Sequence, residues 1–451
     1  MKKTFYILSL GTLLTTALAG CDNRLDVAPK NSIPAAGALN TSSDVEALLR
    51  GGYELLGNNY LYGGAFQYYA DFLGDDGEIQ FGGTFAQPRQ IINKSVLVTN
   101  SFVSLTWTNS YRTINVANTV LGALDRVTDA NKNSVEGSAK FMRGALYFEL
   151  ARLYGKAWND GTPANNPAVP LVVTATEADS PNESVATLSQ APRNSVAEVY
   201  AQAISDLLDA ERLLPRSNGV YATTYTASAL LARIYLQQGK YAEAAAEANK
   251  VIASGNFSLV SSITAEFESG SNTSESIFDV QITTQSGTND LNTFYSNNSR
   301  GDVAVLDSHL ALYEAGDERL DLFYTGFGPD AALTTKFDNV YGNIHVIRLA
   351  EMYLTRAEGN FRAGTAVGAT PLSDINRVRA RVGLPALTTL TLPAILQERR
   401  LELAFEGFLV HDLKRNALPV GNLPYNSPRL VFPIPQRERD LNANLEQNPG
   451  Y

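Results

Sequence analysis

The stretch Leu231-Ala232-Arg233-Ile234-Tyr235-Leu236-Gln237-Gln238-Gly239-Lys240-Tyr241-Ala242-Glu243-Ala244-Ala245-Ala246-Glu247-Ala248-Asn249-Lys250-Val251 decides the fold class of this chain. Apolar and small side chains recur at helical spacing on both sides of Gly239. The spacing predicts helices over 225–237 and 241–253. Small residues at Ala232, Ala244 and Ala248 let the two approach closely, with tyrosine filling the gap. The same pentad, Leu-Ala-x-apolar-Tyr, occurs at Leu150-Ala151-Arg152-Leu153-Tyr154 and at Leu349-Ala350-Glu351-Met352-Tyr353. An element repeated in this way predicts a mostly α chain.

Around Gly239 the spacing resembles a tetratricopeptide repeat, a unit that buries its apolar face only by stacking on its neighbours. Further helices are expected at 107–127, 138–154, 305–315, 346–363, 371–382 and 393–405. Ser43-x-x-Glu46 and Ser195-x-x-Glu198 have the capping-box pattern at two helix starts. Strand-like runs are few and short, Val169 to Thr174 and Ile277 to Ile282. Between the helices lie long stretches read as loops, at 57–100, 155–195, 255–304 and 323–345. Loops of that size inside a compact protein usually carry function. The expected architecture is tetratricopeptide-like hairpins with long inserted loops, against an unrelated set of amphipathic helices.

With 451 residues, 44% hydrophobic and 18% charged, the chain has the make-up of an ordinary globular protein. A net charge of -10 argues against nucleic acid, which needs clustered Lys and Arg. The three histidines, His309, His345 and His411, lack metal-ligand spacing. The one cysteine, Cys21, ends an apolar run, Phe5 to Leu18, that follows Lys2 and Lys3. That three-part shape is a secretory signal peptide. Leu18-Ala19-Gly20-Cys21 reads as a lipobox, so Cys21 is expected to be acylated and to anchor the protein to a membrane. No thiol then remains for disulfides, catalysis or metal. The expected organisation is a signal peptide at 1–20, a lipidated tether at 21–43 and a single body at 44–451.

The C-terminal third is the most distinctive. Asn343-Ile344-x-x-Ile347-Arg348-Leu349-Ala350-Glu351-Met352-Tyr353-Leu354-x-Arg356-Ala357-Glu358 is followed by Asp374-Ile375-Asn376-x-Val378-Arg379-x-Arg381-x-Gly383-Leu384. Next come Ile395-Leu396-Gln397-Glu398-Arg399-Arg400-x-Glu402-x-Ala404-Phe405-Glu406-Gly407 and Asp412-Leu413-Lys414-Arg415, and the chain ends in Gln447-Asn448-Pro449-Gly450-Tyr451. This ordered set resembles the SusD/RagB family of outer-membrane nutrient-uptake lipoproteins. Leu25-Asp26-Val27-x-Pro29, Trp107…Tyr111…Ile114…Ala117-Asn118 and Ser274-Glu275-Ser276-Ile277-Phe278 fit the same family. The resemblance implies a tetratricopeptide-like body at the cell surface. It also implies a role as lid on a SusC-like TonB-dependent transporter, capturing oligosaccharides.

Glu398, Glu402 and Glu406 lie four apart, which places them on one helix face and requires nearby cations. Arg348, Arg399, Arg400, Lys414 and Arg415 are candidates, and the resemblance assigns this group to the scaffold. Two carboxylates on one face also fit a glycosidase acid/base pair, but carboxylates locked to arginines make poor general acids. A glycan site needs exposed aromatics with Asn, Asp and Arg to match flat sugar faces and their hydroxyl rims. The candidates are Asp75, Phe81 and Phe85 in the first loop, Tyr295, Asn297 and Arg300 in the second, and Tyr324 and Phe327 in the third. Phe66, Tyr68, Tyr69 and Asp71 belong to the same aromatic first loop. Asp75-Asp76-Gly77-Glu78 lacks the alternation of a calcium loop, so no metal or cofactor is expected. A peptide-binding lid, a surface glycosidase and a ligand-free scaffold stand as alternatives.

Overall fold

The computed structural model describes residues 39–176, 190–285, 289–328 and 331–451, without the side chains of 327 and 328. The signal segment, Cys21 and the rest of the tether to residue 38 lie outside the described residues. Helix α1 (Ser42–Leu56) starts inside the expected tether. Its capping box is formed by Thr41 and Asp44, one residue's hydroxyl and the other's carboxylate each accepting from the other's backbone N–H. Ser43 is already helical, and Glu46 accepts from the Ser42 hydroxyl at 2.7 Å instead. The predicted Ser195–Glu198 box is present.

The chain continues through α2 (Ala65–Gly74), β1 (Ile79–Phe81), α3 (Ser101–Gly122), α4 (Asp129–Tyr154), α5 (Val196–Leu213), α6 (Thr224–Gln237) and α7 (Tyr241–Ala253). It goes on through β2 (Ser276–Val280), β3 (Val303–Leu306), β4 (Phe323–Gly328), β5 (Ala331–Thr334), β6 (Ile344–Arg348), α8 (Leu349–Ala363), α9 (Pro371–Arg381) and α10 (Leu392–Glu402). Consecutive helices pack on each other from α3 to α9, and α10 packs on α8. That serial contact is the stacked-hairpin arrangement.

The fold-deciding stretch forms α6 and α7, with Ala232, Ala244 and Ala248 fully buried and Gly239 turning between them at φ 71°. Tyr235 does not fill the gap; it is half-buried under Lys240, whose ammonium lies 5.6 Å from the ring. The close approach is tightest between α7 and α8. A Cβ on Gly359 would sit 2.6 Å from the Tyr241 carbonyl oxygen, so only glycine fits. The variable position of the pentad carries charge across the stack. Arg233 donates to both carboxylate oxygens of Glu351 at 2.7 and 2.8 Å, and both residues are buried.

Three expected loops contain regular structure. The first holds α2 and β1, so Phe66, Tyr68, Tyr69 and Asp71 are buried on a helix rather than displayed. The third and fourth supply β2 to β5, and the helix expected at 305–315 is instead β3 followed by the short turn Asp307–Leu310. Short apolar runs read equally as strand or helix until partners are known. β1, β3, β5 and β4 form an antiparallel sheet in that order, while β2 pairs with β6. Among the described residues, Val169 to Thr174 forms no strand. The Val169 carbonyl accepts from the Asn194 N–H at 3.1 Å, and later carbonyls accept from side chains, Asn118 Nδ2 to Val172 O at 2.8 Å and to Thr174 O at 3.1 Å, which satisfies backbone that a ladder would otherwise pair.

Candidate functional site

The four-stranded sheet brings together residues far apart in sequence. β1 ends at Phe81 and leads through Gly82-Gly83-Thr84 into Phe85, which caps the short helix Ala86–Ile92. The neighbouring strand β3 is entered from the 296–302 segment, which carries Asn297 and Arg300. β4, two strands further over, carries Tyr324 and Phe327. The side chain of Phe327 lies outside the described residues.

Two contacts tie these segments into one surface. The Arg300 guanidinium lies 4.3 Å from the centroid of the Phe85 ring, the geometry of a cation–π pair. Its Nε donates to Asp302 Oδ2 at 2.7 Å and a terminal nitrogen donates to Thr84 Oγ1 at 3.1 Å, which fixes the fork. On the other side, the Asn297 N–H donates to the Tyr324 hydroxyl at 3.2 Å, and that hydroxyl donates to Asp338 Oδ1 at 3.1 Å. Partial burial and the Asp338 carboxylate push the Tyr324 phenol above its ordinary pKa, so it stays a donor at neutral pH. Phe85 is 38% exposed, and Asn297 and Arg300 are exposed as well. The result is an aromatic ring, a guanidinium, an amide and a phenol on one open surface.

The remaining candidates occupy other places. Phe81 is half-buried, with its ring 6.1 Å from Phe72 and 6.3 Å from Phe294. Tyr295 is fully buried among Phe72, Phe337 and Phe405, and its hydroxyl faces Asp71 at 3.4 Å, so its ring is withdrawn from any ligand. It closes the one-and-a-half-turn helix Asp290–Tyr295, whose apolar side is pressed inward. The Asp75 carboxylate caps its own turn, accepting from the Glu78 and Ile79 N–H groups at 2.9 and 3.0 Å. Trp107 is buried, and Trp158 is half-buried against Tyr200. Thr84, Asp302 and Asp338, which orient the exposed groups, belong to no sequence motif. The only hint was their place beside glycines or in an aromatic loop.

The glutamate series is arranged differently from its spacing. α10 ends at Glu402, and the backbone reverses at Phe405 (φ 66°) and Gly407 (φ 91°), so Glu406 is not on the helix face shared by Glu398 and Glu402. Its cations come from other elements. Glu398 is bonded by Arg319 at 2.7 Å and Arg379 at 3.2 Å. Glu402 is held by Arg348 at 2.6 Å and by Arg381, and Glu406 by Arg348 at 2.6 Å and Lys336 at 2.7 Å. Arg399 and Arg415 bind Asp412 instead, Arg415 also grips Glu358, Arg400 pairs with Glu78, and Lys414 donates to the Leu430 carbonyl. Burial alone raises a carboxyl pKa, but Arg381, Arg348 and Arg319 hold Glu402 far below the ordinary range. A carboxylate so placed neither reaches a substrate nor gives up a proton.

Comparison with known proteins agrees with this architecture. A family model described as "Starch-binding associating with outer membrane" matches residues 25–236, and the SusD family model matches residues 328–425. SusD-like protein P2 of Formosa agariphila is 26% identical, covering 100% of both chains. A solved SusD-like carbohydrate binding protein from Bacteroides vulgatus superposes with a TM-score of 0.76 at 25% identity, over 90% of this chain and 97% of that one. The starch-binding protein SusD of Bacteroides thetaiotaomicron is 33% identical over 124 residues, 24% of this chain and 22% of that protein. Matched at both ends, similar along its whole length and folded alike, the chain belongs to the SusD/RagB family.

Proposed function

We propose that this protein is a cell-surface glycan-binding lipoprotein that captures oligosaccharides and delivers them to a SusC-like TonB-dependent outer-membrane transporter, over which it acts as the lid. Cys21 carries the lipid anchor, and no described helix is long and apolar enough to cross a membrane. Family membership supports carbohydrate as the ligand class, as do the starch-binding and carbohydrate-binding relatives. The observation that carries the reading on this chain is the exposed Phe85 with Arg300, adjoining Asn297 and Tyr324. A pyranose face packs on the ring, while the guanidinium and amide hydrogens not already engaged meet its hydroxyls. No bond is made or broken, and the protein needs no cofactor.

The test is native affinity electrophoresis through gels containing amylopectin, laminarin or xylan. Stacking on one aromatic ring contributes about 0.5–1.5 kcal/mol, or about two- to tenfold in affinity. Phe85→Ala is therefore expected to weaken retention on the bound polysaccharide by that factor, with an unchanged melting temperature. Full retention by a folded Phe85→Ala protein would remove this surface from the site. Release of reducing sugar by the purified protein would replace the binding reading with a glycosidase.

A further inference from the structure

We infer that a second groove, on the helical side of the body, takes a neutral, hydroxyl-rich chain, in keeping with the glycan reading on which this inference rests. Its centre is Tyr221, in the turn between α5 and α6, whose ring lies 4.7 Å from that of Tyr53 on α1. Tyr221 is a common wall of three depressions of about 460, 190 and 200 Å³. One reaches Tyr225, Asn256 and Phe257, another Asn59, and the third Asn131. None of the three is lined by Phe85, Arg300 or Tyr324.

The walls have the chemistry of a polyol site. Tyr53 with Tyr221, and Tyr225 with Phe257 at 6.0 Å, give two aromatic pairs along one path. Among the described residues, the side chains of Asn59, Asn256 and Tyr225 make no hydrogen bond and Arg216 has no ion pair. Amides and a phenol left with both donor and acceptor capacity suit hydroxyl groups, which are donors and acceptors themselves. The walls carry Arg50 and Arg216 against Glu46 and Glu54, and the third acid, Asp279, is paired with His345 at 3.1 Å, which leaves the charge near balance. A polyanion or polycation therefore gains nothing there over a neutral chain. An elongated path with aromatic faces at intervals fits an oligosaccharide better than a compact metabolite.

The experiment uses the same native gels, with wild type, Phe85→Ala, Asn256→Ala, Tyr225→Ala and Asn59→Ala, each checked by its melting temperature. On a polysaccharide that retains the wild type, Asn256→Ala and Tyr225→Ala are expected to weaken retention at least threefold. Each should add its loss to that of Phe85→Ala, because the two sites share no residue. Asn59→Ala, at the far arm of the groove, should lower retention even if Tyr225→Ala proves unstable. Wild-type retention in the folded Asn256→Ala and Asn59→Ala proteins, with loss only in Phe85→Ala, overturns the second groove and leaves the first site standing. Absence of wild-type retention on every polysaccharide overturns both.

Discussion

Ala417 sits at φ 52°, in the left-handed region that an L side chain enters at a cost of about 1–2 kcal/mol. It follows the helix Leu409–Arg415 and its cap Asn416, and the Leu418 N–H donates back to the Leu413 carbonyl at 2.9 Å. That is the Schellman closure, in which glycine is the usual occupant. Ala417 is exposed and its side chain has no packing to lose. Ala417→Gly is expected to raise stability by about 0.5–1 kcal/mol after the greater freedom of glycine in the unfolded chain is counted, read as a higher urea midpoint. The contrast between Phe85 and Tyr295 also lives at this scale. Both are aromatic, both lie in stretches read as loops, yet one is exposed and the other fully buried. Nothing within five residues of either separates them. The partner that buries the Tyr295 hydroxyl, Asp71, is 224 residues away in sequence.

Elements exchange charge in the interior, and their pH responses have opposite signs. Glu402 ends α10 and meets Arg348 from the end of β6 and Arg381 from the end of α9. Glu402→Ala removes a carboxylate shared by the buried Arg348, Arg381 and Arg319 and leaves positive charge in excess there, and about 3–5 kcal/mol of stability should be lost in a denaturant titration. Because the folded-state pKa of Glu402 is held below its ordinary value of 4.5, its contribution is present above that pH and is lost as acid protonates it. His345 behaves in reverse. It lies opposite Asp279 in the β2–β6 pair, with Nδ1 3.1 Å from Asp279 Oδ1. Burial opposes its charge, but Asp279 and then Glu266 push its pKa up from 6.5 to about 9. Its contribution is complete below pH 6.5 and fades as pH rises through about 9. The wild-type unfolding midpoint should therefore fall between pH 7 and 10 by an amount that His345→Gln no longer shows. An equal fall in both proteins would remove His345 as the cause. At this scale the sequence was legible where period and spacing are local, as in α6, α7 and the Ser195 cap. It was misread where a strand needs a distant partner, as for β1 and β3, and where Phe405 turns Glu406 out of its helix.

The described body is a stack of helical hairpins that holds a small sheet, and one end of that sheet displays the aromatic and polar groups. A membrane anchor at Cys21 would keep that display at a surface without taking part in binding. Cys21→Ala should abolish incorporation of a palmitate analogue in cells, while the purified variant keeps its polysaccharide retention. Loss of retention in that variant would mean that the N-terminal segment belongs to the ligand site. Taken alone, the sequence determined the helical hairpins, the family and the need of Glu402 and Glu406 for cations, because periodicity, ordered motifs and unbalanced charge are all written in local composition. Only the tertiary structure decided which cations answered and which aromatics faced water. Both follow from the packing of segments hundreds of residues apart, and burial of a side chain depends on what covers it rather than on its neighbours in the chain.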